Sequence, residues 1–432
     1  MTRRYSLGMF DLVMLVISLV IGMGIFRTPA TVAAKAGSES VFYLAWLAGG
    51  AIALCGALTF AEIGRRMPVT GAYYRVFAKA YHPLLAFGVN TIIIVSNAAS
   101  AAGVAIIGAE YVATVVPNLP VLPAATSFIV LLYLVNLAGL RTSVTMQNVL
   151  ISIKLLLLGC IITAPFLVTP GDVNGAAIVS QGAIGPLQAF GTALIAVAFT
   201  YGGYQSTINF GGDVSDSGRQ VFRAIMIGVA AVTAIYLAAT WAYVQVIGFD
   251  QLAGSSAIAA MVMERLAGTV GNQLVLGAMV ISVFGYMNVA MLSNPRVITA
   301  MAEDGVISRR LAASASNDRG VNALTLSLFT ALSIVCVFFG ESFEQILNYT
   351  IFLDCIGMAT AAGALFLLRS TTPLRTTSIV TGGLFIASYV FIAASIYMDD
   401  PKAAIYGLIL LGGVVSSKFA YDKICHHDAH RS

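Results

Sequence analysis

Apolar residues run along the chain in long unbroken blocks rather than in alternation, and short polar clusters separate the blocks. Twelve of them are centred near residues 22, 52, 98, 130, 157, 200, 235, 285, 330, 357, 386 and 410. A helix crosses the hydrocarbon core of a bilayer with roughly 20 apolar residues, and only helices or closed barrels satisfy their own backbone there. Continuous apolarity selects helices over barrel strands. The pattern therefore predicts an all-α integral membrane protein of twelve transmembrane helices. Residues 1–420 form a single transmembrane domain on this reading, and 421–432, with the stretch CHHDAH at Cys425–His430, form a cytoplasmic tail.

The charges decide the orientation. An even number of spans puts both termini on one side, and positive residues concentrate in cytoplasmic loops. With the N-terminus inside, Arg3, Arg4, Arg65, Arg66, Arg75, Lys79, Arg141, Arg219, Arg223, Arg296, Arg309, Arg310, Arg319, Arg369, Arg375, Lys418, Lys423 and Arg431 are cytoplasmic. Lys35, Arg265 and Lys402 alone fall in outer loops, while Arg27 and Lys154 lie within spans. One missed helix would scramble this asymmetry, so it supports the span count too. The expected location is the inner or plasma membrane, multi-pass, with both termini cytoplasmic.

Composition agrees. Of 432 residues 59% are hydrophobic and 10% charged, against roughly 25% charged in soluble proteins. The net charge of +4 is too small to suggest nucleic acid as a partner. The cysteines, Cys55, Cys160, Cys336, Cys355 and Cys425, stand singly and without metal spacing, which argues against disulfides and metal sites. The first apolar block is long and lacks a small-residue cleavage site, so no cleavable signal peptide is expected. No span contains paired carboxylates, a histidine-rich metal set or a nucleophile with its base. An enzyme is therefore not expected, nor a cofactor.

Two interruptions stand out. The first block contains VIGMGIFRTP, Val20–Pro29, and the sixth contains FTYGGYQSTINF, Phe199–Phe210. Either glycine cluster alone fits close helix packing. Broken helices at corresponding places in two halves point to an inverted-repeat transporter with its site at the bilayer midplane; the halves are taken as 8–170 and 184–370. Unwinding at Gly22-Met23-Gly24 frees backbone groups of both kinds. A half-helix starting near Ile25 aims amides and a positive dipole end at a carboxylate, and Gly22 and Gly24 admit close approach. Carbonyls released near Ile21 and at Phe199–Gly202 accept from an ammonium. Main chain alone would thus hold an α-amino acid.

GMGIF in the first span, AEIGRRMPVTGAYYRVFAKAYHP after the second, FTYGGYQSTINF in the sixth and NPRVITAMAEDG after the eighth resemble the amino acid, polyamine and organocation transporter superfamily. Aromatic-x-Tyr-Gly-Gly-aromatic-amide followed by Asn-Phe is similar to its L-type amino-acid transporter branch. The resemblance implies a LeuT-like fold of five plus five inverted helices with helices 1 and 6 unwound, and two further helices at 374–420. It implies sodium-independent movement of neutral L-amino acids by alternating access, as an exchanger. Gly22, Met23 and Gly24 match the carboxylate loop, Phe199 the aromatic gate, and Gly202 and Gly203 the break in the sixth helix. Ile21, Ile25 and Tyr201 complete the expected substrate-binding set, with Tyr204 and Gln205. Met23 stands where many members carry Ser or Ala, and Tyr204 with Gln205 where several carry Trp and Asn. The outer loop between spans three and four has no cysteine, so the disulfide-linked heavy chain of animal L-type transporters is not expected.

Polar residues at membrane depth complete the candidates. Lys154, about 14 Å past the cytoplasmic start of span five, costs roughly 2.5–3.5 kcal/mol there and is expected to face the bundle interior. Snorkelling to the interface is the alternative. The resemblance puts a lysine where sodium-coupled relatives bind sodium, so its ammonium would replace the ion. Asn288 either joins Lys154 or the substrate, or makes a plain interhelical contact. Arg27 and Asp354 are expected to pair as the outer gate, on the geometry that the resemblance implies; Asp354 could instead pair with Lys154 or recognise a cationic substrate. Asp11 is expected to complete a helix dipole, Glu62 to pair with adjoining arginines, and Glu110 to be solvated. Pro29, Pro68 and Pro295 are expected as helix punctuation. Proton symport with Lys154 as carrier is the runner-up function, and a channel or amino-acid sensor a third.

Overall fold

The computed structural model describes residues 7–168, 185–214, 217–253, 255, 258–312, 320–368 and 373–429. Arg3, Arg4, Arg319, Arg369, Arg431 and His430, and the expected repeat boundaries at 170, 184 and 370, lie outside the described residues. Helices in chain order are α1 (Met9–Val20), α2 (Gly24–Ala36), α3 (Glu39–Arg66), α4 (Ala72–Ala80), α5 (Pro83–Ala113), α6 (Val121–Leu137), α7 (Leu140–Thr163) and α8 (Pro186–Tyr201). They continue with α9 (Ser217–Ile247), α10 (Phe249–Ala253), α11 (Ile258–Glu303), α12 (Ala323–Phe338), α13 (Gly340–Leu367), α14 (Thr376–Asp399) and α15 (Pro401–Ala429). Short 3-10 turns cover Tyr204–Asn209 and Gly211–Asp213. Seven helical stretches, with α1 and α2 taken together, are long and apolar enough to cross a membrane, and four shorter apolar helices accompany them. The chain is a multi-pass membrane protein.

α1 and α2 do not join: regular helix stops at Val20 and resumes at Gly24. Likewise α8 stops at Tyr201, before Gly202 and the left-handed Gly203 (φ 114°). The two interruptions touch, because a Cβ on Gly203 would collide with the Leu19 carbonyl oxygen. Around them α3 packs on α8 and α9, α1 on α7 and α9, and the long α11 on α5 and α7. Small residues set these distances. A Cβ at Gly108 on α5, for instance, would meet Val283 Cγ1 of α11 at 2.7 Å.

The end of the bundle that carries the N-terminus is tied shut. The Leu7 amide donates to the Asp213 carbonyl (2.9 Å), and Arg296 Nε donates to Asp213 Oδ2 (2.8 Å) while lying over the Phe210 ring. Between α3 and α5 the amphipathic α4 buries Tyr73, Tyr74 and Phe77. Its Arg75 reaches Glu303 (2.6 Å) and Asp304 (3.3 Å) at the end of α11. Partial burial draws the Arg75 pKa down, but hydrogen bonds and charge from Asp304 and Glu303 outweigh it, leaving the guanidinium above its ordinary range. Asn209 accepts from the Tyr73 amide (2.9 Å) through Oδ1, and Thr70 pairs with Phe210 in an isolated bridge. The ion pairs of Glu62, Arg75 and Arg296 all belong to this end.

Several local expectations are corrected. Only Pro68 lies between helices; Pro29 and Pro295 sit inside α2 and α11. A proline deletes one intrahelical bond, and membrane helices absorb that loss through neighbouring side chains better than they absorb a fully open backbone. Lys35 occupies the last turn of α2 and Arg265 lies on α11, not in loops. Arg265 donates to the Val246 carbonyl near the end of α9, supplying a partner to one of the carbonyls that a helix end leaves open. Asp11 sits in the first turn of α1 as expected, accepting from the Gly8 amide (3.2 Å) and Asn148 Nδ2 (2.9 Å).

Glu62 meets both Arg65 and Arg66 at 2.7 Å, and is itself 3% exposed. Removing one member of a buried ion cluster costs roughly 3–5 kcal/mol; the half-exposed Arg65 places this case at the low end. Glu62→Ala is therefore expected to lower the melting temperature in detergent by several degrees. A thermal unfolding scan beside the Arg65→Ala variant, which should be milder, checks this.

Candidate functional site

A break in a membrane helix leaves amides and carbonyls without partners in a medium that offers none. The structure shows how this chain supplies them. Lys154, in the centre of α7 and fully buried, donates from Nζ to the Ile21 carbonyl oxygen at 2.6 Å. Tyr236 of α9, also fully buried, directs its hydroxyl at the Val20 carbonyl (3.0 Å) and the Thr200 carbonyl (3.3 Å). One phenol thus ties the end of α1 to the end of α8. Gln205 turns back to accept from the Gly203 amide through Oε1 at 2.9 Å.

The amides of Met23, Gly24 and Ile25, at the start of α2, have no backbone or side-chain acceptor among the described residues. Met23 and Gly24 line a cavity of about 780 Å³, and Ile25 follows them directly in the chain. Gly22, Met23, Gly24, Phe199, Gly202, Gly203 and Gln205 line it, as do Arg27 and Asp354. Phe199 is 68% exposed, projecting into this space three residues before the break. Arg27 and Glu110, both exposed, are also part of the lining, so the cavity reaches away from the tied end. A Cβ on Gly22 would meet nothing within 4 Å, whereas one on Gly24 would strike Thr200 Cγ2 at 2.9 Å. Gly22 is open to the cavity and Gly24 is needed for packing. An anion seated at Gly22 would face three free N–H groups and the positive end of a helix, the arrangement that helix starts use for carboxylates and phosphates.

The side chains of four expected substrate residues lie outside the cavity lining. Ile21 and Ile25 have fully buried side chains outside the cavity lining, and the Ile21 carbonyl is taken by Lys154 instead of lying free for a ligand ammonium. Tyr201 packs on Trp46 and Tyr236, with ring centroids 6.0 and 4.9 Å away. Tyr204 packs on Phe60 at 6.1 Å. Both tyrosines are almost completely buried away from the cavity. The reason is helical: at about 100° per residue, Tyr201 points some 200° away from Phe199. Asn288 does not reach Lys154. Its Nδ2 donates to Gln147 Oε1 (2.6 Å) and the Ser143 carbonyl (3.1 Å), and its Oδ1 accepts from Asn136 (2.8 Å), the plain interhelical contact. Lys154 is also deeper than expected, because α7 begins at Leu140, about 21 Å before it along the helix.

Sequence reasoning missed Tyr236 and a polar wall where Asn97 donates to Asn294 (2.8 Å) and Asn209 to Ser293 (3.3 Å), all four of these wall residues lining the cavity. The signal was present: a phenol or an amide at the middle of an apolar span needs a partner. Arg27 and Asp354 share the cavity without an ion pair between them. Nor does Lys154 bond Asp354; its one hydrogen bond among the described residues is to Ile21.

Comparison with known proteins gives this geometry a family. Residues 7–415 match the amino acid permease family. The serine/threonine exchanger SteT of Bacillus subtilis (strain 168) is 31% identical over 310 residues, covering 69% of this chain and 68% of the relative. The large neutral amino acids transporter small subunit 2 of Oryctolagus cuniculus is 25% identical over 86% of this chain and 71% of its own length. The Asc-type amino acid transporter 1 of Mus musculus is 23% identical over 94% and 79%. The chain belongs to the amino acid permease family.

The contrast between the two glycines yields a test. Gly22→Val is expected to leave the melting temperature within a few degrees of wild type and to weaken amino-acid binding about tenfold or more, roughly 1.4 kcal/mol. Gly24→Val is expected to destabilise the fold through the Thr200 clash. Thermal scans and equilibrium binding on both variants check the assignment.

Proposed function

We propose that this permease-family chain carries neutral L-amino acids across the inner or plasma membrane, exchanging one for another by alternating access and without sodium. The observation that carries the reading is the set of three unpartnered amides beside the open face of Gly22, in a cavity closed at one end of the bundle. A carboxylate fits the amides. The α-ammonium then needs an acceptor other than the Ile21 oxygen, and the spare lone pair of the Phe199 carbonyl, which receives only the Gly202 amide at 3.2 Å, is the nearest of the sixth-block candidates in sequence. Phe199 would fold over the bound molecule. The relatives, a serine/threonine exchanger and a large neutral amino acids transporter among them, support the substrate class and the exchange mode.

Lys154 supports independence from sodium. Its ammonium already occupies a main-chain oxygen of the broken helix, and a fixed charge there repels a metal cation. The proposed architecture is twelve spans in a LeuT-like arrangement, 8–170 and 184–370 being inverted halves and 374–420 an addition. The end tied by Arg75 and Arg296 is assigned to the cytoplasm, together with both termini, on the positive-inside rule. Arg27 and Asp354 would meet when the opposite end closes. With no cysteine between α5 and α6, a disulfide-linked partner at that loop is not part of the reading, and no enzymatic step is proposed.

A second reading, proton-coupled symport, draws on one observation: the buried ammonium of Lys154 has three hydrogens and a single acceptor among the described residues. Release of one proton during the cycle would relieve that shortage.

Proteoliposomes preloaded with unlabelled neutral amino acid should take up labelled alanine, serine or leucine at least several-fold faster than empty ones, equally in sodium and choline buffers. Amino-acid methyl esters should not compete. Lys154→Ala should reduce exchange about tenfold or more, roughly 1.4 kcal/mol or above, without creating a sodium requirement. Accumulation in empty vesicles that collapses with an imposed proton gradient would favour the symport reading instead.

A further inference from the structure

Among the described residues of α13 in the cavity lining, Asp354 is the one charged side chain, and it is exposed to that space from the middle of the helix. α13 begins at Gly340, which puts Asp354 about 21 Å along it. Two cations from other helices leave it alone in this conformation: Lys154 is bound to the Ile21 carbonyl, and Arg27 forms no ion pair among the described residues. Its carboxylate is therefore served by the contents of the cavity.

Its surroundings have a definite chemistry. Tyr73 of α4, Tyr286 of α11 and Tyr389 of α14 all line the same cavity as Asp354, and the Tyr73 hydroxyl touches Met358, one turn beyond Asp354 on α13. Three different helices thus bring aromatic rings to the cavity that Asp354 faces. Tyr73 is held by its stack on Phe60 (6.3 Å, 17° between planes) and a contact of its hydroxyl with Met358, and Tyr389 by Phe385 at 4.5 Å. The Tyr73 and Tyr389 rings are therefore held in place and give this part of the wall a set shape. Aromatic faces together with a carboxylate are the combination that recognises ammonium groups, by cation–π attraction and charge-assisted hydrogen bonds.

The physical argument concerns what may displace the cavity water. An aliphatic side chain pushed against Asp354 strips solvent from the carboxylate and returns nothing, a penalty that weakens binding. A side-chain amine replaces the lost hydrogen bonds and brings the opposite charge. We propose that Asp354, with Tyr73, Tyr286 and Tyr389, forms a side-chain subsite for an ammonium group, so that the substrate class includes α-amino acids bearing a second amine. The subsite rests on the main-chain anchor described above, since the α-carboxylate must be held at Gly22 for the side chain to reach toward α13.

Competition against a labelled neutral amino acid on purified protein, with L-lysine, L-ornithine and the uncharged isostere L-norleucine, tests this. The wild-type protein is expected to bind at least one of the two diamino acids as well as or better than norleucine. Asp354→Asn should lower the diamino-acid affinity relative to norleucine by about tenfold or more, and Asp354→Glu, which keeps the charge, should retain a preference for the diamino acid over norleucine. Failure of both diamino acids to compete with the wild type, or an unchanged ratio in Asp354→Asn, overturns the proposal. Absence of norleucine binding to a wild-type protein that binds lysine through Asp354 would refute neutral transport while upholding the subsite.

Discussion

The structure depends on the fate of a few backbone groups at Val20–Ile25. Two membrane helices are interrupted side by side, and every amide or carbonyl freed there must find a partner within the protein or face a polar cavity. Carbonyls are answered internally. Lys154 takes Ile21 at 2.6 Å, and Tyr236 serves Val20 and Thr200 together. Amides are left open. The asymmetry matters, because it turns a structural fault into a surface that offers donors and asks for an anion.

The second feature is the difference between the two ends of the bundle. Around Asp213, Arg296, Arg75 and Glu303, ion pairs and main-chain bonds join α1, α4 and α11 to the turn that follows α8. The cavity instead extends toward Arg27 and Glu110. A molecule entering it reaches the amides of α2 without crossing the tied end. On the alternating-access reading proposed above, this is one of the two required states, and the charged pairs would be the contacts that separate to reach the other.

Much of this was legible in the sequence because it follows from burial and from backbone chemistry. Long apolar blocks marked the membrane helices, and paired glycines marked both interruptions, which the observed helix ends at Val20 and Tyr201 place where the glycines stand. A lone lysine inside span five had to have a buried partner, and it has one. What was hidden depends on which side of a helix faces which neighbour. Reading Tyr201 and Tyr204 as site residues treated a motif as a contiguous patch, while the backbone turned their side chains into the core; the Ile21 carbonyl, expected to be free for a ligand ammonium, is taken by Lys154. Asn288 was hidden for the same reason: its three hydrogen-bond partners, Asn136, Ser143 and Gln147, lie on α6 and α7. Tyr236, far from both motifs in sequence, was never weighed, although a phenol in an apolar span asks for an acceptor.

The central claim is that the open amides at the start of α2 bind the substrate carboxylate. Met-Gly occurs once in the chain, at Met23-Gly24, so carbonyl-13C methionine combined with 15N glycine isolates the Gly24 amide in a magnetic-resonance spectrum of the lipid-embedded protein. Titration with a neutral L-amino acid should move that one signal with the same saturation as binding, and slow its exchange with water. A Gly24 resonance that stays still while binding saturates would contradict the account.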